Sequence, residues 1–387
     1  MSKTAISIAA AILLIALAGF LYIIWGGQAR SGSGAPPSLV AGDFSVNFEG
    51  ITLAQSASDD SGFFVLTGWS LRRFDLSGRE LWTRAVSHTN PLLIQGGAYV
   101  ALSAHRSRIF YAFGPNGLLY TIDFEHDILS YHISANGYSA VLTTNGDSYN
   151  IDVFNASGTR LKRHTVAERN LFPISMAISP DGRILVVSYL DVSGAVISSY
   201  ICAYFIRAGE AAYYTDGLFA SFRQVEGEII SRVAFIDQTH LMYSSDGQFG
   251  VYELTPAPGT RHVWSRTLDS HADFIEAVYG IGVAVAFGQP LIGAESSDEG
   301  TFVIYGLNGT ELATYSMDGS ISYLSSGAGA VIIGGGPLRR NFAAINYRNQ
   351  VVWEYTATSD VLDFILLDKP ERALIVTPAR IQIMESR

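Results

Sequence analysis

Short apolar runs alternate with turn residues along most of this chain. The clearest example lies at 174–205, where the turn 179–182 (Ser-Pro-Asp-Gly) separates the runs ISMAI and RILVVSYL, and a third run, ISSYICAYFI, follows. This phrase recurs about every 44 residues. Runs rich in β-branched and aromatic residues, closed by Gly, Asn and Asp turns, are typical of short antiparallel strands. The pattern therefore predicts an all-β fold of four-stranded repeats, a β-propeller.

The repeats can be counted from their first strands, which begin near residues 51, 91, 128, 174, 230, 275, 321 and 361. Eight starts predict eight blades, with seven as the alternative. The turns 75–78, 114–117, 155–158 and 307–309 all occupy the slot between third and fourth strands. The last unit supplies three strands, and the alternating stretch 43–48 (DFSVNF) is predicted to complete it as a fourth strand. This pairing would close the ring and remove an unpaired edge.

A second signal precedes the repeats. Residues 5–25 are apolar apart from Ser7, and they are long enough to span a hydrocarbon core of ~30 Å as a helix. Residues 1–27 are therefore predicted to form an uncleaved membrane anchor, with a cleavable signal peptide ending near 16–18 (Ala-Leu-Ala) as the alternative. Lys3 before the span and Arg30 after it predict a cytoplasmic N-terminus and an extracytoplasmic propeller at 43–387. The stretch 28–42 is predicted to be a flexible linker.

Composition narrows the possible partners. The formal net charge is −10, and basic residues form no stripe. This charge argues against nucleic acid and against adhesion to an anionic membrane surface, so the predicted membrane contact is the N-terminal helix alone. The pairs 72–73 and 339–340 (Arg-Arg) are isolated, as is typical of solvated faces. The single cysteine, Cys202, lies in an apolar run and is predicted to be a buried core residue.

The sequence contains few candidates for catalytic or metal-binding residues. The chain has no G-x-S-x-G elbow, no zinc motif and no P-loop. The acidic groups Asp59/Asp60 and Glu295/Asp298/Glu299 could bind calcium or act as acid and base, but neither has the spacing of a calcium loop. They are predicted to be loop acids that face water. No catalytic residue, metal ligand or cofactor is predicted.

A family resemblance rests on particular phrases. The segment 75–82 (DLSGRELW) resembles the D-x-x-G-x-x-x-W docking phrase of quinoprotein-dehydrogenase-like propellers, and 308–312 and 348–353 echo it. The turn 179–183 is similar to the strand-joining turn of bacterial WD40-like propellers. With its N-terminal span, the chain most resembles membrane-anchored bacterial propellers catalogued as a domain of unknown function.

This resemblance implies a β-propeller architecture for residues 43–387. Quinoprotein enzymes carry a quinone, calcium and a catalytic Asp, whereas here only scattered repeats keep the Trp and no Asp matches the catalytic one. Cofactor binding is therefore not expected. Trp82, at the end of the docking phrase, is predicted to fill the gap between neighbouring blades.

Two functions remain open. One is a scaffold that presents loops to a protein or cell-envelope partner, and the other is a hydrolase or lyase with its site in the central channel. The predicted first strands offer four strongly polar side chains: His132, Arg232, Glu276 and Asp363. A catalytic ring needs more converging groups than this, which favours the non-enzymatic scaffold.

The loops 189–196, 288–300 and 334–341 are unusually long or polar, and each is predicted to join a second strand to a third. Antiparallel strands place such loops on one rim of the ring. This rim is predicted to bind the partner, through Tyr189, Asp191, Gln289, Glu295, Asp298, Glu299, Arg339 and Arg340.

Overall fold

The chain forms an all-β ring in the computed structural model, which describes residues 36–47, 54–68, 70–88, 90–212, 214–223, 227–255, 259–268, 272–287, 299–336 and 338–387. Residues 38–387 make up one compact unit. Its strands pair into eight antiparallel sheets of four strands each. The predicted eight-bladed β-propeller is thereby confirmed, and seven blades are excluded.

Blades are numbered along the chain, and the four strands of each are given from the innermost to the outermost. The first strand of the chain, β1 (Leu39–Asn47), belongs to the last blade. Blade 1 consists of β2 (Ala54–Asp59), β3 (Gly62–Thr67), β4 (Ser70–Asp75) and β5 (Glu80–Ala85), and blade 2 of β6 (Leu92–Gly96), β7 (Tyr99–Ser103), β8 (Ile109–Gly114) and β9 (Gly117–Asp123). Blade 3 consists of β10 (Asp127–Ile133), β11 (Ser139–Thr144), β12 (Tyr149–Phe154) and β13 (Arg160–Val166), and blade 4 of β14 (Leu171–Ile178), β15 (Ile184–Asp191), β16 (Ser198–Phe205) and β17 (Leu218–Arg223).

Blade 5 consists of β18 (Ile230–Phe235), β19 (His240–Ser245), β20 (Gln248–Glu253) and β21 (Arg261–Thr267), and blade 6 of β22 (Ala272–Val278), β23 (Gly282–Phe287), β24 (Glu299–Gly306) and β25 (Glu311–Asp318). Blade 7 consists of β26 (Ile321–Gly327), β27 (Ala330–Gly335), β28 (Asn341–Asn346) and β29 (Val351–Thr356), and blade 8 of β30 (Asp363–Leu366), β31 (Arg372–Val376), β32 (Arg380–Ser386) and β1. Between β16 and β17 the chain also forms a short helix, α1 (Ala208–Ala211), and one 3-10 turn (Thr215–Gly217).

The ring closes as the sequence predicts. β1 runs antiparallel to β32, with Leu39 opposite Ser386 and Asn47 opposite Arg380. The predicted linker 28–42 is too long, however, because residues 39–42 already belong to this strand. Leu39 is buried in the same cluster as Trp353, and a bulge between Ala41 and Ser45 interrupts the register of the strand. Phe48, the last residue of the predicted strand, lies outside the described residues.

The core lies between blades. Each of eight apolar clusters joins buried residues of two neighbouring sheets, so every gap around the ring is filled. A middle strand therefore buries both faces and is continuously apolar, as in β3, where all six residues are buried. The first strand of each blade contacts that of the next, including blade 8 against blade 1, and these strands surround a central channel.

Tryptophans fasten three of the gaps. Each lies on a fourth strand and donates its Nε1–H to a carbonyl oxygen of the next blade: Trp82 to Pro115 at 2.9 Å, Trp264 to Leu307 at 2.9 Å and Trp353 to Pro370 at 2.8 Å. The role predicted for Trp82 is thus confirmed. The turn of the receiving blade needs a glycine, because Gly309 has a φ of +79° and a Cβ there would lie 2.8 Å from the Trp264 ring.

The predicted membrane anchor, 1–27, lies outside the described residues. Among the residues that the structure does describe, no helix has the length and apolar character needed to cross a bilayer.

Candidate functional site

The propeller has two distinct faces, set by its antiparallel strands. The turns that join first to second and third to fourth strands lie on one side, called here the hairpin face. The loops that join second to third strands, and one blade to the next, lie on the other, called here the loop face. The three loops predicted to form a rim all fall on the loop face, since they follow β15, β23 and β27.

In the channel wall, polar side chains of the first strands bond to neighbouring blades. The Asp363 carboxylate accepts hydrogen bonds from the Ser56 backbone N–H at 2.5 Å and hydroxyl at 2.7 Å, and from the Tyr323 hydroxyl at 2.8 Å. Tyr323 also bonds to the Phe364 carbonyl oxygen at 2.7 Å. One carboxylate therefore links blades 7, 8 and 1.

The same arrangement recurs around the ring. The His132 Nδ1 accepts a hydrogen bond from the Ile178 backbone N–H of blade 4 at 3.3 Å. Arg232 of blade 5 donates through Nη1 to the Ile275 carbonyl oxygen at 3.1 Å and to the Glu276 carboxylate at 3.4 Å, both in blade 6. Polar groups on the first strands thus hold neighbouring blades together by hydrogen bonds.

Burial changes the acidity of these groups. Loss of hydration lowers the pKa of His132 to about 4, so its ring is neutral near pH 7. Burial raises the pKa of Asp363 in spite of the bonds from Ser56 and Tyr323. It also raises the pKa of Glu276, an effect that Arg232 opposes. All three shifts favour the uncharged form, as expected for partly buried groups that have lost hydration.

The four predicted channel residues do not converge on one centre. Arg232 and Glu276 are in contact, whereas His132 bonds at the junction of blades 3 and 4, and Asp363 at that of blades 8 and 1. Nor does the described part of the chain bring three or more His, Cys, Asp or Glu side chains together as a metal site. The channel groups serve the junctions between blades.

A cavity of about 730 Å³ opens at the hairpin-face end of the channel. Every blade contributes to its wall, mainly through residues at the ends of first strands and the turns that follow. Its charged lining residues are Asp59 and Asp60 of blade 1 and Arg232 of blade 5. The sequence did not reveal this cavity, because its wall is assembled from eight distant segments.

Two charged residues at this end differ from the sequence prediction. Asp59 was expected to face water, and Arg73 to lie on a solvated face. Arg73 is instead fully buried, and its Nη2 lies 2.8 Å from the Asp59 carboxylate. Burial raises the pKa of Asp59, but bonds from Arg73 and Ser61 outweigh that effect and lower it overall. Strand alternation is the reason, since it turns Arg73 into the gap between blades 1 and 2, over the Phe64 ring at 4.3 Å.

The predicted rim is only partly available on the loop face. Tyr189 is buried, contrary to the prediction, because it points into the gap between blades 3 and 4, where its hydroxyl bonds His164 at 2.9 Å. Asp191 caps its own loop by accepting the Ser193 N–H at 2.9 Å. Arg340 pairs with Asp360 at 2.9 Å.

The remaining rim residues have different surroundings. Arg339 is exposed and has a φ of +55°. Glu299 begins β24 and is exposed. Gln289, Glu295 and Asp298 lie outside the described residues. Partner binding by this rim stays a prediction.

A polar cluster surrounds Tyr189 and closes the gap between blades 3 and 4. Asp216, in the 3-10 turn, accepts hydrogen bonds from Lys162 Nζ at 2.9 Å and pairs with His164 Nδ1 at 2.5 Å. Lys162 occupies the same place on its fourth strand as Trp82 on blade 1, two residues after the start of β13. At this junction an ion pair between Lys162 and Asp216 takes the place of the tryptophan hydrogen bond found between blades 1 and 2.

The loop face also carries exposed aliphatic side chains. Val196 and Ile197, between β15 and β16, are 53% and 43% exposed, and Leu338, between β27 and β28, is 76% exposed. Leu92, which starts β6 on the same face, is 48% exposed. The residues predicted for this rim from the sequence were polar or aromatic, and none of these four was among them, although Val196 and Leu338 lie inside two of the predicted loops.

One solved structure supports the architecture. The crystal structure of BamB from Moraxella catarrhalis covers 90% of this chain and 99% of its own, with a TM-score of 0.55 at 14% identity. The Cps50 (Swd1) β-propeller domain of Myceliophteria thermophila covers the same shares, with a TM-score of 0.49 at 9% identity. At 14% identity the likeness to BamB shows the fold alone, and a TM-score of 0.49 adds no support to it.

Sequence comparisons supply the family. No curated protein matches the chain. A family model does match, over residues 62–385, and its description is a family of unknown function, DUF5711. The predicted resemblance to propellers catalogued as a domain of unknown function is thereby confirmed. Because the match covers most of the chain and nearly the whole ring, the protein belongs to the DUF5711 family.

Proposed function

We propose that this protein is a membrane-anchored, extracytoplasmic scaffold that binds a protein or cell-envelope partner through its loop face. The observation that carries the proposal is the set of exposed aliphatic residues in the loops: Val192, Val196, Ile197 and Leu338. Full burial of an exposed aliphatic side chain contributes roughly 1.5–3 kcal/mol. These residues are 37–76% exposed, so a partner that covers them gains a corresponding fraction of that free energy from each. Such residues on loops of a rigid scaffold are typical of binding surfaces.

The channel supports a non-enzymatic role. His132, Arg232 and Asp363 each hold a bond between blades, so a reaction that changed their charge would also weaken the ring. The three bonds also lie at different junctions of the ring, so these side chains do not form one catalytic centre. The ring is therefore suited to hold its shape while its loops make contacts.

The sequence outside the described residues supports the membrane part of this proposal. The apolar stretch 5–25 has the length of a bilayer span, and the net charge of −10 argues against electrostatic adhesion to anionic lipid. Lys3 and Arg30 favour an extracytoplasmic ring. Protease added to intact cells is expected to degrade the ring. Protection of the ring until the membrane is broken would contradict this orientation.

Crosslinking in native membranes tests the binding proposal. The wild-type chain is compared with a double variant, Val196→Ser and Ile197→Ser, and with a control, Leu161→Ser, whose side chain is 38% exposed on the outer strand β13. Wild type and control are expected to capture the same partner, and the double variant to lose it while melting at an unchanged temperature. Equal capture by all three proteins would exclude this loop as the binding surface.

A further inference from the structure

The cavity at the hairpin face has charges of opposite sign on opposite walls. Asp60 lies in the first turn of blade 1, and Arg232 lies on the first strand of blade 5. Three blades lie between them in either direction around a ring of eight, so the two side chains are diametrically opposed. A ligand that spans this cavity therefore meets an anionic group at one end and a cationic group at the other.

The acidic end has one free carboxylate. The Asp59 carboxylate is occupied, since it accepts bonds from Arg73 at 2.8 Å and from the Ser61 backbone N–H and hydroxyl at 2.7 Å. Asp60 is exposed, and within the described part of the chain its carboxylate bonds to nothing. Asp60 is thus available to a cationic group of a ligand.

The basic end is available as well. Arg232 uses Nη1 for its bonds to Ile275 and Glu276, and its side chain is still 47% exposed. The remaining N–H groups of Arg232 can therefore form a charge-assisted bond to a ligand carboxylate.

Between the two ends the wall offers neutral hydrogen-bonding groups. His132 accepts the Ile178 N–H at Nδ1 and is neutral, so its proton lies on Nε2, which can donate. Gln95 uses its amide nitrogen for the carbonyl oxygens of Ser58 and Gly97, which leaves its carbonyl oxygen as an acceptor. One donor and one acceptor in a largely uncharged wall match the N–H and C=O groups of a peptide bond.

We propose that this cavity binds a short peptide with both termini free, its α-ammonium group at Asp60 and its α-carboxylate at Arg232. A cavity of about 730 Å³ lies within the usual range of ligand sites, roughly 300–1,000 Å³. A nucleotide fits less well, because its several negative charges would face Asp59 and Asp60 with one arginine to balance them. A neutral sugar would use neither charge.

Binding of tetrapeptides tests this assignment. A random tetrapeptide mixture is titrated into the full chain in three forms: with free termini, N-acetylated and C-amidated. The free form is expected to bind, and each blocked form about tenfold more weakly, which corresponds to about 1.4 kcal/mol per lost charge contact. A free carboxyl end at the tail of a partner would give the same dependence on amidation but none on acetylation, and this outcome would overturn the assignment of Asp60.

Single-residue variants then test which terminus of the peptide each charged residue binds. Arg232→Gln is expected to lose the difference between free and amidated peptide, and Asp60→Asn the difference between free and acetylated peptide. Arg232→Lys, which keeps the charge, should retain part of the affinity. Arg348→Gln, an exposed arginine outside the cavity lining, is the matched control and should bind as wild type.

Two results would overturn the proposal: free and blocked peptides that bind alike, or Arg232→Gln and Asp60→Asn proteins that bind as tightly as wild type. If the Arg232→Gln protein fails to fold, the Asp60→Asn protein still tests the proposal, because Asp60 lies in an exposed turn. The proposal goes beyond the scaffold function and is independent of it, because the cavity lies on the hairpin face. Loss of peptide binding with partner capture intact would separate the two.

Discussion

The stability of the ring should depend on pH through His132. The folded protein holds the pKa of this ring at about 4, against about 6.5 in an unfolded chain. Because the folded pKa is the lower one, the unfolded chain binds the proton more tightly. The stability is therefore complete above pH 6.5 and falls as the pH is lowered towards 4. Replacement of His132 by Gln, which keeps an acceptor for the Ile178 N–H, removes this titration.

The size of the effect follows from the two pKa values. Linkage between them gives a loss of at most about 2 kcal/mol at pH 5, rising to at most about 3 kcal/mol near pH 4. A loss of this order is a large share of the stability of a typical domain, about 5–15 kcal/mol. It should be visible above the titration of surface groups.

Urea unfolding between pH 4 and pH 8 measures it. The free energy of unfolding is determined for wild type, for His132→Gln and for His105→Gln, an exposed histidine that serves as the matched control. Wild type and control are expected to lose stability in parallel below pH 6.5, and His132→Gln to lose less by about 2 kcal/mol at pH 5. Parallel curves for all three proteins would refute the assignment of a partly buried, neutral His132.

Three further predictions concern closure and the blade junctions. Deletion of residues 39–47 should lower the melting temperature markedly and cause association through the uncovered edge of β32, and an unchanged melting curve would contradict closure by β1. Trp82→Ala should cost about 3 kcal/mol in urea unfolding, since it removes a partly buried indole and its bond to Pro115; loss of partner capture at full stability would instead make Trp82 a surface contact. Asp216→Asn should cost about 1 kcal/mol by weakening the bonds to Lys162 and His164, whereas the exposed control Asp147→Asn should cost nothing measurable by the same assay.

Much of the fold could be predicted because its determinants are local. The Gly78, Gly158 and Gly309 turns have φ values of +84°, +79° and +79°, and such turns are recognisable in sequence wherever Gly follows Asp, Asn or Ser. The runs between them have the length of one strand. Turn spacing and run length together predicted eight blades, and the alternation in 43–48 predicted the strand that closes the last of them.

The candidate site was harder to predict, for reasons that two residues illustrate. Tyr189 ends an apolar run beside a long loop, so its position suggested exposure, but alternation along β15 turns it into the gap between blades 3 and 4. Arg73 sits beside Arg72 in sequence, yet only Arg73 is buried, because neighbouring residues of a strand face opposite sides. Both sides of every blade meet a neighbour, and how deeply each position is covered is decided only when the blades pack.

The sequence by itself determined the architecture of this protein: its strands, its turns, the number of its blades and the segment that closes the ring. These depend on alternation and on turn residues, which act over a few positions. The tertiary structure alone decided which polar groups meet. Asp363 bonds to Ser56 across 307 residues of chain, and the cavity wall draws on all eight blades. No local pattern encodes such partners, because closure of the ring is what brings them within hydrogen-bonding distance.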